Sequence, residues 1–439
     1  MRVAYLVSQY PGPSLSFIRR EVQAVRECGI DIHTFSIRDA GLAPDATTAE
    51  RASAADTFCI LRAGAARYVS AHVRALVRGP LRYAATLAAA FRHRVPGVRS
   101  FAWSFVYFAE AIVLADELQW RQIDLLHIHF ANAGAIAGYL ASRFLGMPWG
   151  LTLHGTSDTD YPAGHLLGAK IAAADYVACV SNFGCAQAMR TVGKDHWDKM
   201  FINRCGVDLN ALPQRERKRE AGGRLRIICV ARLSEEKGHF GLLRAFKTAL
   251  AGGADAELVL VGDGPLRAEI EDAIESLNLA SRVQLLGAMA EQETLKQIAR
   301  SDVLVLSSFM EGLPVALMEA MGLGLAVVAP RVAGVPELVT DGVSGVLFTP
   351  ANWDDLASTL VKVLLDAELR DRLGAAGRAK VAAEFEILTA VAPLVERLHR
   401  YSPDTGRSKP TQSAAVMGHL SPTGGSATLP YSGDGKPVM

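Results

Sequence analysis

The stretch SSFMEGLPVALMEAMGLG, residues 307–324, places two glutamates eight residues apart on either side of a proline. The apolar run Val303–Leu306 before it is typical of a buried strand, whereas the residues after Pro314 have helical spacing and end in glycines. Glu311 is therefore expected in a strand-to-helix loop, with Glu319 about two turns into the helix, roughly 8 Å further along. Carboxylates placed in this way face one cleft but contact different groups. A close pair of the hydrolase kind, about 5 to 9 Å apart, is the less favoured alternative.

Length and composition limit the kind of protein to which this stretch belongs. The chain has 439 residues, 50% of them hydrophobic, which is long for one core and sufficient for two domains. The formal net charge of +1 argues against a dedicated nucleic-acid-binding protein, because such domains carry a basic excess. We therefore expect a two-domain protein that has no nucleic acid as partner.

The cysteines and the N-terminus indicate the compartment. The six cysteines are scattered without CxxC or Cys/His spacing, as expected of small buried residues in a reducing environment, and they predict no zinc site. The opening MRVAYLVSQYPG has an apolar run of only about five residues. This run is typical of a first strand and far short of a signal-peptide core or of the roughly 20 residues that span a bilayer. The expected compartment is the cytoplasm.

Short β-rich runs alternate with helical segments, which is the pattern of βαβ units and parallel sheets. Strand candidates begin at residues 2, 30, 123, 149, 176 and 201 in the first half and at residues 226, 257, 283, 303, 326 and 345 in the second. The sequence thus predicts an α/β protein of two Rossmann-like, doubly wound domains. The predicted division is 1–210 for the N-terminal domain, 211–223 for a polar linker, 224–400 for the C-terminal domain with its terminal helix, and 401–439 for a disordered tail.

Two such domains direct the carboxyl ends of their strands toward one interdomain cleft, where ligands bind in open α/β folds. The loop ARLSEEKG supplies Arg232 and Lys237 just before a helix that starts near Gly238. A guanidinium and an ammonium beside a helix N-terminus form a site for a diphosphate. The alternative is that both are solvated cations paired with Glu235 and Glu236.

A second loop, LTLHGTSDTD, ends a strand of the first half with His154 at the cleft, where an imidazole can position a substrate hydroxyl. A purely structural histidine is the alternative. Asp158 and Asp160 form a D-x-D that suits Mg²⁺ between phosphates, although so short an acidic loop is also a common helix cap. The glycines of VGDGP lack the full G-x-G-x-x-G and do not support a NAD site.

Several motifs in the same order resemble the retaining glycosyltransferases of family 4, which have the two-domain GT-B fold. In the second half these motifs are ARLSEEKGH, LVGDGPLR, GLPVALMEAMGLG after Glu311, and GVPELVTDGVSGVLF. In the first half QYPGPSLSFIRREVQAV, HIHFANAGAIAGYLAS, LTLHGTSD and CVSNFGCAQAMRTVG resemble the branch that builds exopolysaccharides such as colanic acid and amylovoran.

The resemblance implies a role for each residue of the cleft. Glu311 would contact the donor sugar near its reacting carbon, and Glu319 would bind the ribose hydroxyls. Arg232 and Lys237 would neutralise the diphosphate leaving group, so that no metal or other cofactor is expected. His154 would lie beside the donor sugar, acting in the chemistry or only in positioning.

Further donor contacts are implied at the loops. Gly312 and Leu313, which directly follow Glu311, would contact the donor, and Met289 would line the base pocket through backbone groups. The first loop departs from the family, which has a glycine pair where this chain reads Pro-Gly-Pro-Ser at 11–14. Gly12 with Ser14 or Ser16 is the expected substitute for phosphate or acceptor contact.

The segment from Thr57 to Ala109 exceeds what the minimal fold needs. It has eight arginines, no lysine and no acidic residue, interleaved with apolar and aromatic side chains. We expect an amphipathic helical face on anionic lipid, with Arg74, Arg78 and Arg82 as contacts, where a lipid-linked acceptor is met. The alternative is that these arginines reflect a general preference of the genome for arginine over lysine, because the whole chain has 35 arginines and 11 lysines.

The expected function is transfer, with retention, of a hexose from a nucleotide-diphosphate sugar to a glycan or lipid-linked acceptor in exopolysaccharide biosynthesis. The expected location is the cytoplasm, peripheral at the inner face of the cell membrane. Two alternatives on the same fold are a nucleotide-sugar epimerase and a non-catalytic nucleotide-binding subunit.

Overall fold

The computed structural model describes residues 1–12, 15–42, 47–215 and 223–402. Within these ranges the chain forms two parallel sheets with helices on both faces. Most strand residues are buried, because parallel strands covered on both sides by crossover helices require continuous apolar runs rather than alternation. The predicted α/β class with two doubly wound sheets is confirmed.

The first sheet contains seven strands of the described chain, in the order β3-β2-β1-β4-β5-β6-β7. The strands are β1 Arg2–Gln9, β2 Asp31–Arg38, β3 Phe58–Cys59, β4 Leu125–His129, β5 Trp149–Leu153, β6 Tyr176–Cys179 and β7 Met200–Ile202. Since β1 pairs with both β2 and β4, the strand order reverses there. The crevice at the carboxyl ends of β1 and β4 is therefore where a ligand is expected in an open α/β sheet.

The second sheet repeats the arrangement with six described strands, in the order β10-β9-β8-β11-β12-β13. They are β8 Leu225–Val230, β9 Ala256–Val261, β10 Val283–Gly287, β11 Val303–Val305, β12 Ala326–Pro330 and β13 Val346–Phe348. Here the order reverses between β8 and β11, which are the strands that precede the loops holding Lys237 and Glu311.

The helices cover both sheets. In the first half they are α1 Ser16–Glu27, α2 Thr48–Asp56, α3 Ala65–Arg78, α4 Pro80–Arg92, α5 Val98–Trp120, α6 Ala133–Leu145, α7 Thr156–Thr159, α8 Leu167–Ala173 and α9 Asn182–Met189. In the second they are α10 His239–Ala251, α11 Arg267–Ser276, α12 Glu291–Ala299, α13 Val315–Gly322, α14 Val335–Leu338, α15 Trp353–Leu365, α16 Ala367–Glu384 and α17 Ile387–His399. Short 3₁₀ turns occupy Ile60–Arg62, Lys194–His196 and Glu235–Lys237.

All twelve strands expected from the sequence are present, and β3 is an addition of two residues. The last helix differs from its expected place. The sequence assigned it to the C-terminal domain, whereas Val391, Leu394 and Leu398 of α17 pack in the core that contains Val3 and Tyr5 of β1. The chain thus returns to the first sheet. Most of the predicted linker (216–222) and nearly all of the predicted tail (403–439) lie outside the described residues.

Three helices, α3 to α5, fill the segment in which one strand and one helix would suffice. Helix α5 is long and apolar enough to cross a membrane by length and composition. Its C-terminal half is nevertheless core, since Ile112, Val113 and Leu114 are fully buried in the cluster that covers the first sheet. Its N-terminal half is different, with Phe101 and Phe105 about half exposed.

Candidate active site between the two sheets

Glu311 and Lys237 form an ion pair at the carboxyl edge of the second sheet. The Glu311 carboxylate accepts hydrogen bonds from the Lys237 ammonium at 2.8 Å and from the Ser308 hydroxyl at 2.6 Å. Lys237 closes the 3₁₀ turn before α10, and Glu311 lies in the loop between β11 and α13, so the two side chains come from neighbouring central strands. Lys237 therefore pairs with a carboxylate of the neighbouring loop. The alternative prediction had paired it with Glu235 or Glu236.

Arg232, the other predicted diphosphate contact, lies in the same loop with an exposed side chain. Its carbonyl oxygen lies 3.0 Å from Nε2 of His239, the first residue of α10, which joins the loop to the helix start. Gly238 caps that helix in the left-handed region, at φ +65°. A side chain at Gly238 would meet the carbonyl of Ser307 at 2.3 Å, so only glycine allows the two loops to approach.

Glu319 is buried on α13 and contacts the first half of the chain. Its carboxylate accepts a hydrogen bond from the Arg20 guanidinium of α1 at 2.6 Å, and Arg20 also pairs with Glu291 of α12. Burial raises the pKa of Glu319, and Arg20 opposes that shift. Glu319, the residue predicted to bind the ribose, is thus joined to α1 by an ion pair between the two halves of the chain.

His154 follows β5 and lies against two aromatic rings, Phe17 of α1 and Phe130, which directly follows β4. Its ring centroid lies 5.0 Å from that of Phe17 and 4.4 Å from that of Phe130. Its Nε2 lies 2.8 Å from Nδ1 of His129, while its buried Nδ1 has no hydrogen-bond partner in the described residues. Burial lowers the pKa of His154 to about 3, so the imidazole is neutral at pH 7.

A chain of buried polar groups extends behind His154. Glu21 of α1 lies 3.7 Å from Nε2 of His129 and accepts a hydrogen bond from the Tyr5 hydroxyl at 3.1 Å. Burial raises the pKa of Glu21 to about 7. Glu21, His127 and His129 lie close enough together to hold a metal ion. However, both ring nitrogens of His127 are already engaged by Tyr176 and Thr152, as expected of a hydrogen-bonded network.

Asp158 braces the loop that carries His154. One carboxylate oxygen accepts the backbone N–H of Ala131 at 2.7 Å and the other accepts that of His154 at 2.8 Å. Burial raises the pKa of Asp158 to about 6. Asp160, the other member of the D-x-D, is exposed. Both carboxylate oxygens of Asp158 thus accept hydrogen bonds from backbone N–H groups. This favours a structural role over Mg²⁺ binding.

The backbones of the two halves come close together at Gly155 and Gly312. A side chain at Gly312 would lie 2.4 Å from the carbonyl oxygen of His154, and one at Gly155 would lie 2.6 Å from the Cα atom of Gly312. Glu337 adds a second junction, because its carboxylate accepts the backbone N–H groups of Asn182 and Phe183, both at 2.9 Å. His154 and the loop of Glu311 are therefore neighbours.

The other predicted donor contacts lie in both halves of the chain. Leu313 is buried, and Met289 is half-buried against the second core. Gly12 accepts the backbone N–H of Leu15 at 2.9 Å, just before Ser16 begins α1. Ser14 lies outside the described residues.

The predicted membrane arginines have partners beyond their own segment. Arg74 makes two hydrogen bonds to Asp116, at 2.8 and 2.6 Å, and Arg78 donates to Gln119 at 3.0 Å. Arg82 is exposed. The count of eight unopposed arginines therefore overstates the local charge, since α5 supplies a carboxylate to Arg74.

Sequence reasoning missed five residues that the structure brings to the cleft or behind it: Arg20, Glu21, His129, Glu291 and Glu337. The signal for the first three was present in SFIRREV and HIHF, whose polar residues interrupt otherwise apolar runs. Glu291 and Glu337 act across the cleft, and no spacing within one half predicts such a contact.

Known protein families match both halves of the chain. The model of the family "Glycosyl transferases group 1" matches residues 212–380, and that of "Glycosyltransferase Family 4" matches residues 59–211. The N-acetyl-alpha-D-glucosaminyl L-malate synthase of Bacillus anthracis is 29% identical over 63% of this chain and 74% of its own length. The amylovoran biosynthesis glycosyltransferase AmsK of Erwinia amylovora is 36% identical, over 40% of this chain and 45% of its own length. The chain thus matches less than half of that second relative.

Solved structures share the fold over nearly the whole chain. Anabaena Alr3699/HepE in complex with UDP and glucose is 19% identical, with a TM-score of 0.67, covering 91% of this chain and 100% of that one. The sucrose-phosphate synthase of Thermosynechococcus elongatus is 20% identical, with a TM-score of 0.68, over 92% of this chain and 100% of that one. Because the two family models together match the chain from residue 59 to residue 380, this protein belongs to glycosyltransferase family 4 and is an enzyme that transfers sugar from a nucleotide sugar.

Proposed function

We propose that this enzyme moves a hexose, with retention of configuration, from a nucleotide-diphosphate sugar to a lipid-linked glycan in the synthesis of an exopolysaccharide or another cell-surface polysaccharide. The observation that carries the proposal is the Lys237–Glu311 ion pair, 2.8 Å long, in a loop that touches the backbone of His154. A cation for the leaving group and a carboxylate for the sugar thus lie on loops of the second sheet, one of which packs against the backbone of the residue that carries the neutral imidazole.

The proposed step breaks the bond between the anomeric carbon and the diphosphate and forms one between that carbon and an acceptor oxygen on the same face. The proton of the acceptor hydroxyl passes to the departing phosphate oxygen. Lys237, Arg232 and the N-terminus of α10 offset the charge of the leaving diphosphate, a role that needs no bound cation. The unpartnered Nδ1 of His154 supplies a hydrogen bond to the donor sugar.

The donor base and the pathway come from the relatives and stay part of the proposal. Alr3699/HepE has been crystallised with UDP-glucose, which makes uridine the first base to test. AmsK and the putative colanic acid glycosyltransferase WcaL of Salmonella typhimurium are named for exopolysaccharides, and they support that pathway for this chain.

We also propose that the enzyme is cytoplasmic and peripheral at the inner face of the cell membrane, held by α3 to α5. Eleven of the exposed large apolar side chains lie between Leu61 and Val106, including Val77 at 77% and Leu81 at 84% exposure. Apolar side chains interleaved with arginines suit the boundary between headgroups and acyl chains of an anionic bilayer.

The test is a thermal-shift panel of UDP, GDP and ADP with their hexose conjugates, followed by analysis of the sugar product. One nucleotide should raise the melting temperature, and the matching nucleotide sugar should be consumed with release of nucleoside diphosphate. Conversion of the donor to its epimer without an acceptor would identify the epimerase alternative. Binding without turnover, in the presence of lipid extract, would identify the non-catalytic alternative.

A further inference from the structure

Three side chains in a row lead from the buried face of α1 to the end of β5. The carboxyl group of Glu21 lies 3.7 Å from Nε2 of His129, and Nδ1 of the same imidazole lies 2.8 Å from Nε2 of His154. The last atom of the row, Nδ1 of His154, has no hydrogen-bond partner in the described residues. These three side chains, named here the Glu21–His154 relay, join a buried carboxyl group to an unpaired nitrogen of the residue proposed to contact the donor.

Both imidazoles of the relay are neutral at pH 7. Burial lowers the pKa of His154 to about 3, and burial lowers the pKa of His129 well below its ordinary value. A neutral imidazole has one nitrogen that donates a hydrogen bond and one that accepts. The proton between the two rings is therefore carried either by Nδ1 of His129 or by Nε2 of His154.

Each position of this shared proton fixes the outer nitrogens of both rings. When Nδ1 of His129 carries it, Nε2 of His129 is an acceptor and Nδ1 of His154 holds a proton that it can donate. When Nε2 of His154 carries it, Nε2 of His129 is a donor and Nδ1 of His154 has only a lone pair. The hydrogen-bonding group next to Nε2 of His129 therefore selects the tautomer of His154.

That group is the carboxyl group of Glu21. Nε2 of His129 is buried and has no hydrogen-bond partner among the described residues, and a shift of less than about 1 Å brings it to hydrogen-bond distance from Glu21. A protonated Glu21 donates to Nε2 of His129, whereas an ionised Glu21 accepts from it. Ionisation shifts one proton within each ring, so the proton that leaves the relay is the one on Nδ1 of His154.

The surroundings of Glu21 allow it to change charge near neutral pH. It is 5% exposed, and in the described part of the chain no lysine or arginine is paired with it. Burial raises its pKa to about 7, and the hydrogen bond from Tyr5 opposes that shift. β2 and α17 add apolar side chains to the core around α1. The titratable side chains that face Glu21 are Tyr5 of β1, His127 and His129 of β4, Tyr176 of β6, and Cys205 after β7.

We propose that Glu21 and His129 are positioning residues that act through His154: a protonated Glu21 keeps the proton on Nδ1 of His154, so that this imidazole donates a hydrogen bond to the nucleotide sugar. The diphosphate and ring oxygens of such a donor only accept hydrogen bonds, and so does a hydroxyl group that already donates to a carboxylate. A nitrogen without its proton cannot bind these atoms. The effect on turnover rests on the proposed function, whereas the tautomer of His154 is a property of the protein alone.

The first experiment locates the proton by nitrogen NMR of the protein with isotope-labelled histidine, without substrate. His154→Gln identifies the signals of His154 by their loss. In the wild type, Nδ1 of His154 should carry the proton at about pH 5.5, and Nε2 should carry it at about pH 8.5. One tautomer of His154 at both pH values would overturn the relay, whatever the variants do.

Glu21→Gln tests the origin of this change. Its amide accepts from Tyr5 and donates to His129, as a protonated carboxyl group does, but it cannot ionise. It should keep the proton on Nδ1 of His154 at both pH values. Glu110→Gln is the matched control, because Glu110 is also 5% exposed with a pKa raised to about 7 by burial, but it lies on α5 outside the relay. A tautomer change that persists in Glu21→Gln or disappears in Glu110→Gln would overturn the relay.

Turnover of the donor found in the thermal-shift panel is the second readout. In the wild type, kcat/KM should be about tenfold lower at pH 8 than at pH 6, because only the protonated relay is productive, and Glu21→Gln should remove this difference. Binding of the free nucleotide shows that each variant is folded. The expected tautomer change with equal kcat/KM at both pH values would overturn the positioning role. Absence of nucleotide binding and turnover in the wild type would overturn the proposed function and leave the tautomer result standing.

Discussion

Among single residues, Glu311 and Glu319 have different surroundings. Glu311 is paired with Lys237 on its own sheet, whereas Glu319 is buried and paired with Arg20 from α1 of the first half. The difference supports the separate roles that the family resemblance implies. In the proposed function, the carboxylate beside the leaving-group cation acts on the reacting sugar, and the buried one binds a part of the donor that does not react.

The two carboxylates should therefore respond differently to truncation. Glu311→Ala should lower turnover about a hundredfold or more, because a lost transition-state contact costs on the order of 3 kcal/mol, with little change in nucleotide affinity. Glu319→Ala should weaken nucleotide binding itself. Calorimetry with the free nucleotide and initial rates with the nucleotide sugar separate the two effects. Unchanged nucleotide affinity in Glu319→Ala would remove its ribose role.

The buried Glu21 predicts a pH-dependent stability. Its pKa rises from the ordinary 4.5 to about 7 on folding. Between pH 4.5 and pH 7, Glu21 is therefore protonated in the folded state and ionised in the unfolded state. Stability from this group therefore falls as pH rises from 4.5 to 7. Glu21→Gln keeps an acceptor for Tyr5 and cannot ionise. It should gain stability relative to wild type by on the order of 2 kcal/mol between pH 5 and pH 7.5, measured by urea unfolding. Parallel pH profiles would contradict a buried, titrating Glu21.

Among the secondary-structure elements, the positions of the strands could be predicted from the sequence. The sheet or helix against which an element packs could not. Each strand expected from the sequence is a compact apolar run, because a parallel strand is covered on both faces. The two-residue β3 has no run long enough to detect. The sequence placed the terminal helix, α17, in the C-terminal domain, but an apolar helix face does not indicate which of two sheets it covers. The pairing of Arg74 with Asp116 was hidden for a similar reason, since its partner lies 42 residues away on another helix.

The return of α17 to the first sheet makes a stability prediction. Leu394 is fully buried in the core of the first sheet, so Leu394→Ala should destabilise the protein by about 3 kcal/mol through lost burial and a cavity. Leu388 on the same helix is 46% exposed, and Leu388→Ala should cost about 0.5 kcal/mol or less. Urea unfolding measures both. Equal losses would show that α17 does not pack as described.

The membrane proposal belongs to α3 and α4. Arg74→Glu would set a carboxylate against Asp116, so the informative change is Arg78→Glu with Arg82→Glu. This double variant should lose sedimentation with phosphatidylglycerol vesicles, because each basic residue near an anionic surface contributes about 1 kcal/mol. Arg244→Glu with Lys247→Glu on α10 makes the same change in charge elsewhere and should sediment like wild type. Retained vesicle binding by Arg78→Glu with Arg82→Glu, or no vesicle binding by the wild type, would contradict membrane contact through α3 and α4.

At the scale of the whole molecule, function depends on contacts that join the two sheets. Glu337 binds the start of α9, Arg20 joins α1 to Glu319, and Gly155 meets Gly312. The family motifs predicted the loops on each side, but the sequence could not predict these contacts, because each joins residues more than 150 positions apart. The cleft is therefore a property of the assembled pair of sheets, and chemistry is expected only when both are present.

We propose that this cleft transfers sugar from a nucleotide sugar with a lysine, not a metal ion, facing the leaving diphosphate. The measurement is release of nucleoside diphosphate from the donor found in the panel, with lipid extract as acceptor source, in EDTA, for wild type and Lys237→Ala. We predict full release by the wild type in EDTA and a loss of about a hundredfold in Lys237→Ala. Loss of wild-type release in EDTA with rescue by Mg²⁺ or Mn²⁺, or wild-type rates in Lys237→Ala, would contradict the account.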